Sequence, residues 1–246
     1  MPTVNPSYVA GEAIEASRIL KQDPSYDHQC LKATLGSTPI GVSHEGTDDA
    51  PIPGASAYAA HLGYSCKVYG PTETCEIAVG SLAIAAGDHV APDANSKAQP
   101  AVHGFPYVGK ALAAGAASAK VRVQVEIGVE NKTGTTLVKT QADTPYTVLL
   151  KDLGKTLLNT GASGQVTFAL PAALPGYEIR ARVDAAQELR LDANGTEVIC
   201  LPSSGAPQAA GKYIWADAVG EFVHLRCTEA GQWDVVSYIG TWTVES

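Results

Sequence analysis

No run in this chain approaches the roughly 18 consecutive apolar residues that a membrane-spanning helix needs, so no membrane partner is expected. Charge is also scarce, at 17% of 246 residues against about 25% in an average soluble domain. Lys and Arg number 17 against 25 Asp and Glu, giving a formal net charge of −8 with no basic run. Such a chain is ill suited to gripping phosphates, and no nucleic-acid partner is expected. The five cysteines, at positions 30, 66, 75, 200 and 227, include no CxxC pair. An odd, scattered set reads as reduced thiol, much of it buried. The first residues lack a cationic start followed by an apolar stretch, so no secretory signal is expected. Tryptophan is absent until Trp215, after which Trp233 and Trp242 follow.

What the chain does contain is enough apolar surface to fold: 45% hydrophobic residues and a mean hydropathy of +0.01. That composition excludes disorder as the main state. Twenty-four glycines and 15 prolines make it rich in turns and argue against a helical bundle. The polar, turn-forming stretch from Asn131 to Pro145 predicts a boundary. It divides the chain into residues 1–130 with an N-terminal arm, a linker at 131–145, and residues 146–246. Leu137-Val138 inside the linker could form a short strand.

The expected fold is mainly β. In the first part the clearest strand is Val121–Ile127, with Val121, Val123, Val125 and Ile127 on one face and Arg122, Gln124 and Glu126 on the other. Shorter strands are expected at Cys30–Thr34, Pro39–Ser43, Cys66–Tyr69 and Glu76–Val79, with His28 and Cys30 on one strand face. The composition of Ala55–His61 and Lys110–Ala119 permits short helices. In the second part, runs such as Gln165–Leu170, Tyr177–Val183 and Glu221–Cys227 alternate cleanly. Asn194-Gly195 between Glu188–Asp192 and Thr196–Cys200 is a strong hairpin signal, because both turn positions need positive φ. A small antiparallel β-sandwich or barrel is the expected result.

Candidate chemistry is thin. His44-Glu45 begins like a zinc-protease helix, but Asp48 stands where the second histidine belongs. Gly161-Ala-Ser-Gly164 lacks the spacing of a nucleophile elbow and reads as a turn. Asp192–Glu197 has too few acidic ligands for a calcium loop. Zinc through His28, Cys30, Cys66 and Cys75 is weighed and set aside. No catalytic residues, metal or cofactor are expected. His103–Tyr107 gathers aromatics in a loop that reads first as packing on its own domain and second as an interaction surface. The three tryptophans read first as core filling and second as sugar-stacking platforms.

One succession resembles a known family. Gly11-Glu-Ala-Ile-Glu-Ala-Ser-Arg-Ile-Leu is followed by Pro39-Ile-Gly-Val-Ser, Ile84-Ala-Ala-Gly-Asp-His-Val-Ala-Pro-Asp, Val108-Gly-Lys-Ala-Leu-Ala-Ala-Gly and Val121-Arg-Val-Gln-Val. That order resembles the bacteriophage capsid decoration (cement) proteins. The second part is similar to small β domains appended to phage structural proteins. The resemblance implies a protein made in the host cytoplasm and carried on the outer surface of the virion. Its partners would be the major capsid protein and itself, as a homotrimer or alternatively a dimer. It would cement adjacent capsid subunits against DNA pressure, through Val4, Pro6 and Tyr8 of the arm and Phe105 and Tyr107 of the aromatic loop, while the C-terminal domain projects outward. The alternative is a tail or surface adhesin whose C-terminal β domain binds host glycan or receptor.

Overall fold

The computed structural model describes residues 8–44, 58–201 and 207–245. Val4 and Pro6 of the expected arm, and Glu45 and Asp48, lie outside the described residues. The chain divides into two compact units: the described residues up to Ala101 together with Phe105–Glu130, and Val102–Gly104 together with Asn131 onward.

Among the described residues the first unit runs through thirteen strands. They are β1 (Tyr8–Ala10), β2 (Ile14–Glu15), β3 (Ile19–Gln22), β4 (Gln29–Lys32), β5 (Pro39–Ser43), β6 (Tyr58–Ala60) and β7 (Ser65–Cys66). Then come β8 (Val68–Tyr69), β9 (Thr74–Ala78), β10 (His89–Pro92), β11 (Ala98–Pro100), β12 (Pro106–Ala111) and β13 (Lys120–Val129). One sheet has the order β7-β1-β4-β3-β5-β8, a second has β11-β10-β12-β13-β9, and β2 and β6 form a ribbon. Alternation explains the layering. Adjacent Ile19 and Leu20 on β3 point to opposite faces of the first sheet. Ile19 joins Val42, Ile77, Val121, Val123 and Val125 in one core cluster, and Leu20 joins Ile14, Cys30 and Cys66 in another. The expected β13 pattern holds for Val121, Val123 and Val125, but Ile127 is 40% exposed.

The second unit follows a different plan. Its strands are β14 (Thr136–Val138), β15 (Tyr146–Thr147), β16 (Thr156–Leu158), β17 (Val166–Ala169), β18 (Glu178–Arg182) and β19 (Leu189–Asp192). After them come β20 (Val198–Ile199), β21 (Ile214–Ala216), β22 (Phe222–Arg226), β23 (Gln232–Ile239) and β24 (Thr243–Val244). From β14 to β19 the chain alternates between two sheets. Successive strands in each sheet pair in parallel: β14 with β16 with β18 in one, β15 with β17 with β19 in the other. Thr136 lies opposite Thr156, which lies opposite Arg180; Tyr146 lies opposite Phe168, which lies opposite Leu191. Each step advances by about 20 to 24 residues, the repeat length of a coil in a β-solenoid. Antiparallel pairings of β21 on β19, β22 on β18, β23 on β22 and β24 on β21, and the parallel pairing of β20 on β23, complete the two sheets. Leu157, Ile179 and Leu225 on one sheet and Phe168, Leu189 and Leu191 on the other are fully buried. Burial of each such side chain is worth about 1.5–3 kcal/mol.

The expected architecture therefore needs correction. The second unit is a solenoid wound from parallel strands, not an antiparallel sandwich or barrel. Among the described residues there is no α-helix, only 3₁₀ turns at Gln141–Asp143 and Leu150–Asp152. The expected helices fail for a local reason. Residues 55–57 lie outside the described residues and Tyr58–Ala60 is strand β6, while Lys110 and Ala111 are the last residues of β12 before the chain turns into β13. Small residues there serve tight turns and close strand approach. The expected Asn194-Gly195 hairpin is also corrected. The turn exists, with the Glu197 amide donating to the Asn194 carbonyl at 3.0 Å and Gly195 at φ 59°. However, β19 pairs with β17 and β21, and β20 pairs in parallel with β23, so the turn carries the chain between sheets. His28 is not on a strand face: it occupies a turn at φ 61°, before β4 begins.

One buried polar side chain holds two coil turns together. Asn159, fully buried after β16, donates to the carbonyls of Ala185 (3.1 Å) and Gln187 (3.0 Å). Its own carbonyl accepts from the amides of Asp184 (2.7 Å) and Ala185 (3.0 Å). All four bonds reach a turn some 25 residues away, so a backbone segment with no ladder partner is satisfied by one amide. Asn159→Leu leaves the Gln187 carbonyl and the Asp184 and Ala185 amides without this partner, while the Ala185 carbonyl keeps only the Gln187 amide. It is expected to destabilise the second unit by at least about 3 kcal/mol, read as an earlier urea transition in tryptophan fluorescence.

Candidate functional site

Three polar clusters and one open groove stand out among the described residues. In the first unit a hollow of about 560 Å³ is lined by Glu12, Glu15, Arg18, Lys32, Asn95 and Lys97, among others. Most of its charges are spent on each other: Arg18 reaches Glu15 at 3.8 Å, and Lys32 reaches Glu12 at 3.6 Å and Glu15 at 3.5 Å. No aromatic ring lines it. It is the larger hollow, but its ion pairs offer a ligand little that is not already engaged.

The second cluster is on β10, β12 and β13. His89 places Nδ1 2.6 Å from Glu130 and Nε2 3.3 Å from Glu126, and its ring stacks on Tyr107 at 4.2 Å and 1°. Burial, together with Glu126 and Glu130, raises the Tyr107 hydroxyl above its ordinary range. Tyr107, expected as a capsid contact, thus has one ring face against His89. Phe105 lies just before β12 with its ring edge toward Gly36. Tyr8 stands on β1 and packs against the cluster containing Ile14 and Leu20. Tyr8 therefore belongs to one sheet, and Phe105 and Tyr107 to the approach and start of a strand in the other.

The third cluster lies in the second unit. Glu178 on β18 meets Arg226 at 2.7 Å, Arg180 at 3.2 Å, His224 at 3.3 Å and His103 at 3.9 Å. Gly154, at φ 81°, makes room for His103, since a β-carbon there would fall 2.2 Å from the imidazole Cγ. Burial pushes the Glu178 carboxyl up, but Arg226, His224 and Arg180 outweigh it and hold the group below the usual carboxylate range. Burial lowers His224. This is a cross-strand clamp, closed on itself.

The groove is different. It lies in the second unit against the sheet ordered β15-β17-β19-β21-β24, with a volume of about 490 Å³. Its walls include Thr144, Gln165, Arg190, Asp192, Tyr213 and Glu245. Alternation explains why these side chains share one face. On β19, Leu189 and Leu191 are buried, so Arg190 and Asp192 face outward. On β21, Ile214 and Ala216 are buried, so Trp215 faces outward and is only partly covered. Register then assembles a row across the sheet: Thr167 beside Arg190, Arg190 beside Trp215, Trp215 beside Thr243. The Arg190 guanidinium pairs with Glu188 and lies over the Tyr213 ring, 4.4 Å from its centroid. Glu245 faces Lys212 at 3.8 Å. Asp192 has no ion pair within 4.0 Å among the described residues. Burial, and then the charge of Glu245, raise its carboxyl, with Arg190 opposing.

The tryptophans therefore split. Trp233 is fully buried, and Trp242 is buried with Nε1 donating to the Phe222 carbonyl at 3.0 Å; both fill core, as expected. Trp215 does not. Arg190, Tyr213 and Glu245 were not singled out by sequence reading, and Asp192 was weighed only as part of a calcium loop. Their signal was present in the alternation of Leu189-Arg-Leu-Asp and Tyr213-Ile-Trp, but nothing in it says which strands lie side by side. No group of three or more His, Cys, Asp or Glu among the described residues has metal-holding geometry.

No family model and no curated protein matches the chain. A solved structure to which it is similar is the N base of the head fiber gp8.5 of bacteriophage phi29, at 16% identity and a TM-score of 0.37. The match covers 49% of this chain and 91% of that one. The expected assignment to capsid cementing is corrected by this finding: the match is to a fiber base, not to a cement protein. At that TM-score the likeness carries no further argument.

The raised carboxyl gives a test of the groove's electrostatics. A native carboxyl that keeps its proton above its ordinary 3.8 favours the folded state in acid and penalises it as pH rises through the raised value. Asp192→Asn removes that penalty. Thermal melts at neutral pH are expected to show a gain of about 0.5 kcal/mol or less, and the gain should vanish below pH 3.8.

Proposed function

We propose that this chain is a fiber-type structural protein of a phage virion, and that its second unit binds saccharide in the groove on the β15-β17-β19-β21-β24 sheet. One observation carries the binding reading: the Arg190–Trp215 row beside Tyr213, Asp192 and Glu245. Saccharides are recognised by flat aromatic surface for their C–H faces and by carboxylates, amides and guanidinium for their hydroxyls. The groove offers carboxylates, an amide, a guanidinium and the Tyr213 ring, and Trp215 stands beside Arg190 on the same sheet face, next to the groove's lining. The self-closed clusters around Glu178 and His89 offer neither free aromatic surface nor free acceptors to the same degree. The phage setting comes from the resemblance of the quoted sequence segments to phage structural proteins. In this reading the protein is made in the host cytoplasm, carried on the particle and active by adhesion, with no bond broken or formed.

Arg190→Ala and Trp215→Ala, compared with the unaltered chain on an array of bacterial surface glycans, are expected to weaken binding at least about tenfold. Both positions lie on the outer face of the sheet, so an unshifted melting curve separates lost binding from lost fold. Absence of binding by the unaltered chain, or undiminished binding by both variants, would overturn the saccharide reading. Absence of the protein from purified virions by mass spectrometry would overturn the phage setting.

A further inference from the structure

The charges lining the groove discriminate among sugars, an inference that rests on the saccharide reading above. The lining holds two carboxylates, Asp192 and Glu245, and one cation, Arg190. Arg190 is already engaged by Glu188 and held flat on Tyr213. Glu245 has only the distant Lys212, at 3.8 Å, with both side chains about one third exposed. Asp192 has no ion-pair partner within 4.0 Å among the described residues, although its strand neighbour Arg190 stands two positions away on the same face. The groove thus presents a carboxylate acceptor without a matching donor, beside a second carboxylate of the same sign.

An acidic sugar brought into this groove meets two like charges. An N-acetylated sugar offers Asp192 one amide N–H. An amino sugar with a free nitrogen offers an ammonium: three donors and the one charge that both carboxylates attract. We propose that the groove selects saccharides carrying a free amino group, with Asp192 as the acceptor of the ammonium and Glu245 adding attraction from the same wall. Uronic and sialic-type sugars are excluded by the same two groups.

The test uses the full chain and short oligosaccharides, measured by calorimetry in mildly acidic, low-salt buffer. The probes are a glucosamine oligomer, its N-acetylated counterpart and an oligogalacturonide. The glucosamine oligomer is expected to bind at least about tenfold tighter than the acetylated one, and the oligogalacturonide not to bind. Asp192→Asn should erase the gap between the two hexosamine oligomers. The chain's net charge of −8 could attract any polycation, so Glu76→Gln serves as a control for general attraction. Glu76 is a half-exposed carboxylate of the first unit, paired with Lys120 at 3.6 Å. Equal losses in Glu76→Gln and Asp192→Asn would overturn the proposal, as would equal affinity for the two hexosamine oligomers or tighter binding of the acidic one. Binding of neutral or acidic glycans that still depends on Trp215 would leave the saccharide reading standing and reject only the amino-sugar selectivity. If none of the three oligomers binds, the selectivity is likewise rejected, and the glycan array decides the reading beneath it.

Discussion

A strand in a parallel ladder has no hydrogen-bond partner nearby in sequence, and the second unit depends on how that need is met. Antiparallel neighbours can be joined by two residues, whereas parallel neighbours need a long return path. Here the return path is itself a strand in the opposite sheet. Thr136, Thr156 and Arg180 sit side by side in one sheet because Tyr146 and Phe168 sit side by side in the other. Neither ladder can form without the crossing turns that serve both. Asn159 shows how strict the demand is at those turns: four backbone groups near Ala185 that no strand reaches are bonded by one buried amide. A leucine would suit the apolar surroundings and fail the backbone.

The groove follows from that constraint. Its side chains come from positions 144 to 245 and share a face only because parallel winding stacks β15, β17 and β19, with β21 and β24 added antiparallel. Alternation sends Leu189, Leu191 and Ile214 inward, and the same alternation leaves Arg190, Asp192 and Trp215 outside. Core and groove are therefore two faces of one pattern. The arginine that lies on Tyr213 is held in place by the leucines on either side of it.

This also explains what could be read from the sequence. Alternation reports which face a residue takes, and it placed the strands well: Pro39–Ser43 is β5, Val121, Val123 and Val125 of β13 are buried, and Val223, Leu225 and Cys227 point inward. It does not report the neighbour. A strand with one buried face alternates in the same way whether its partner runs parallel or antiparallel, so the second unit was expected to be an antiparallel sandwich. Asn194-Gly195 shows the limit most clearly. The glycine was read correctly as a positive-φ turn residue, which is a local property, but Asn194 does not share that conformation. The hairpin was not there, because pairing depends on a strand some 20 residues away. The coil offset leaves no repeated motif, since only side-chain character recurs from Thr156 to Arg180 or from Phe168 to Leu191. The helices expected at Ala55–His61 and Lys110–Ala119 rested on alanine and glycine, which suit close strand contacts as well as helices.

The distribution of charge separates structural polar groups from those free to act on a ligand. Around Glu178 every cation faces the same carboxylate, and around His89 both ring nitrogens face glutamates. Each cluster spans neighbouring strands and satisfies itself, which is what a clamp requires. A binding surface must instead leave part of its bonding capacity open to a partner, at some cost to the free protein. Asp192 fits that description. It is half-buried, pushed toward its neutral form by desolvation and by Glu245, and left without a close cation. A ligand ammonium would relieve both effects at once, since it supplies the missing donor and cancels the repulsion between the two carboxylates. The same two carboxylates that make the empty groove unfavourable would then account for both its affinity and its selectivity.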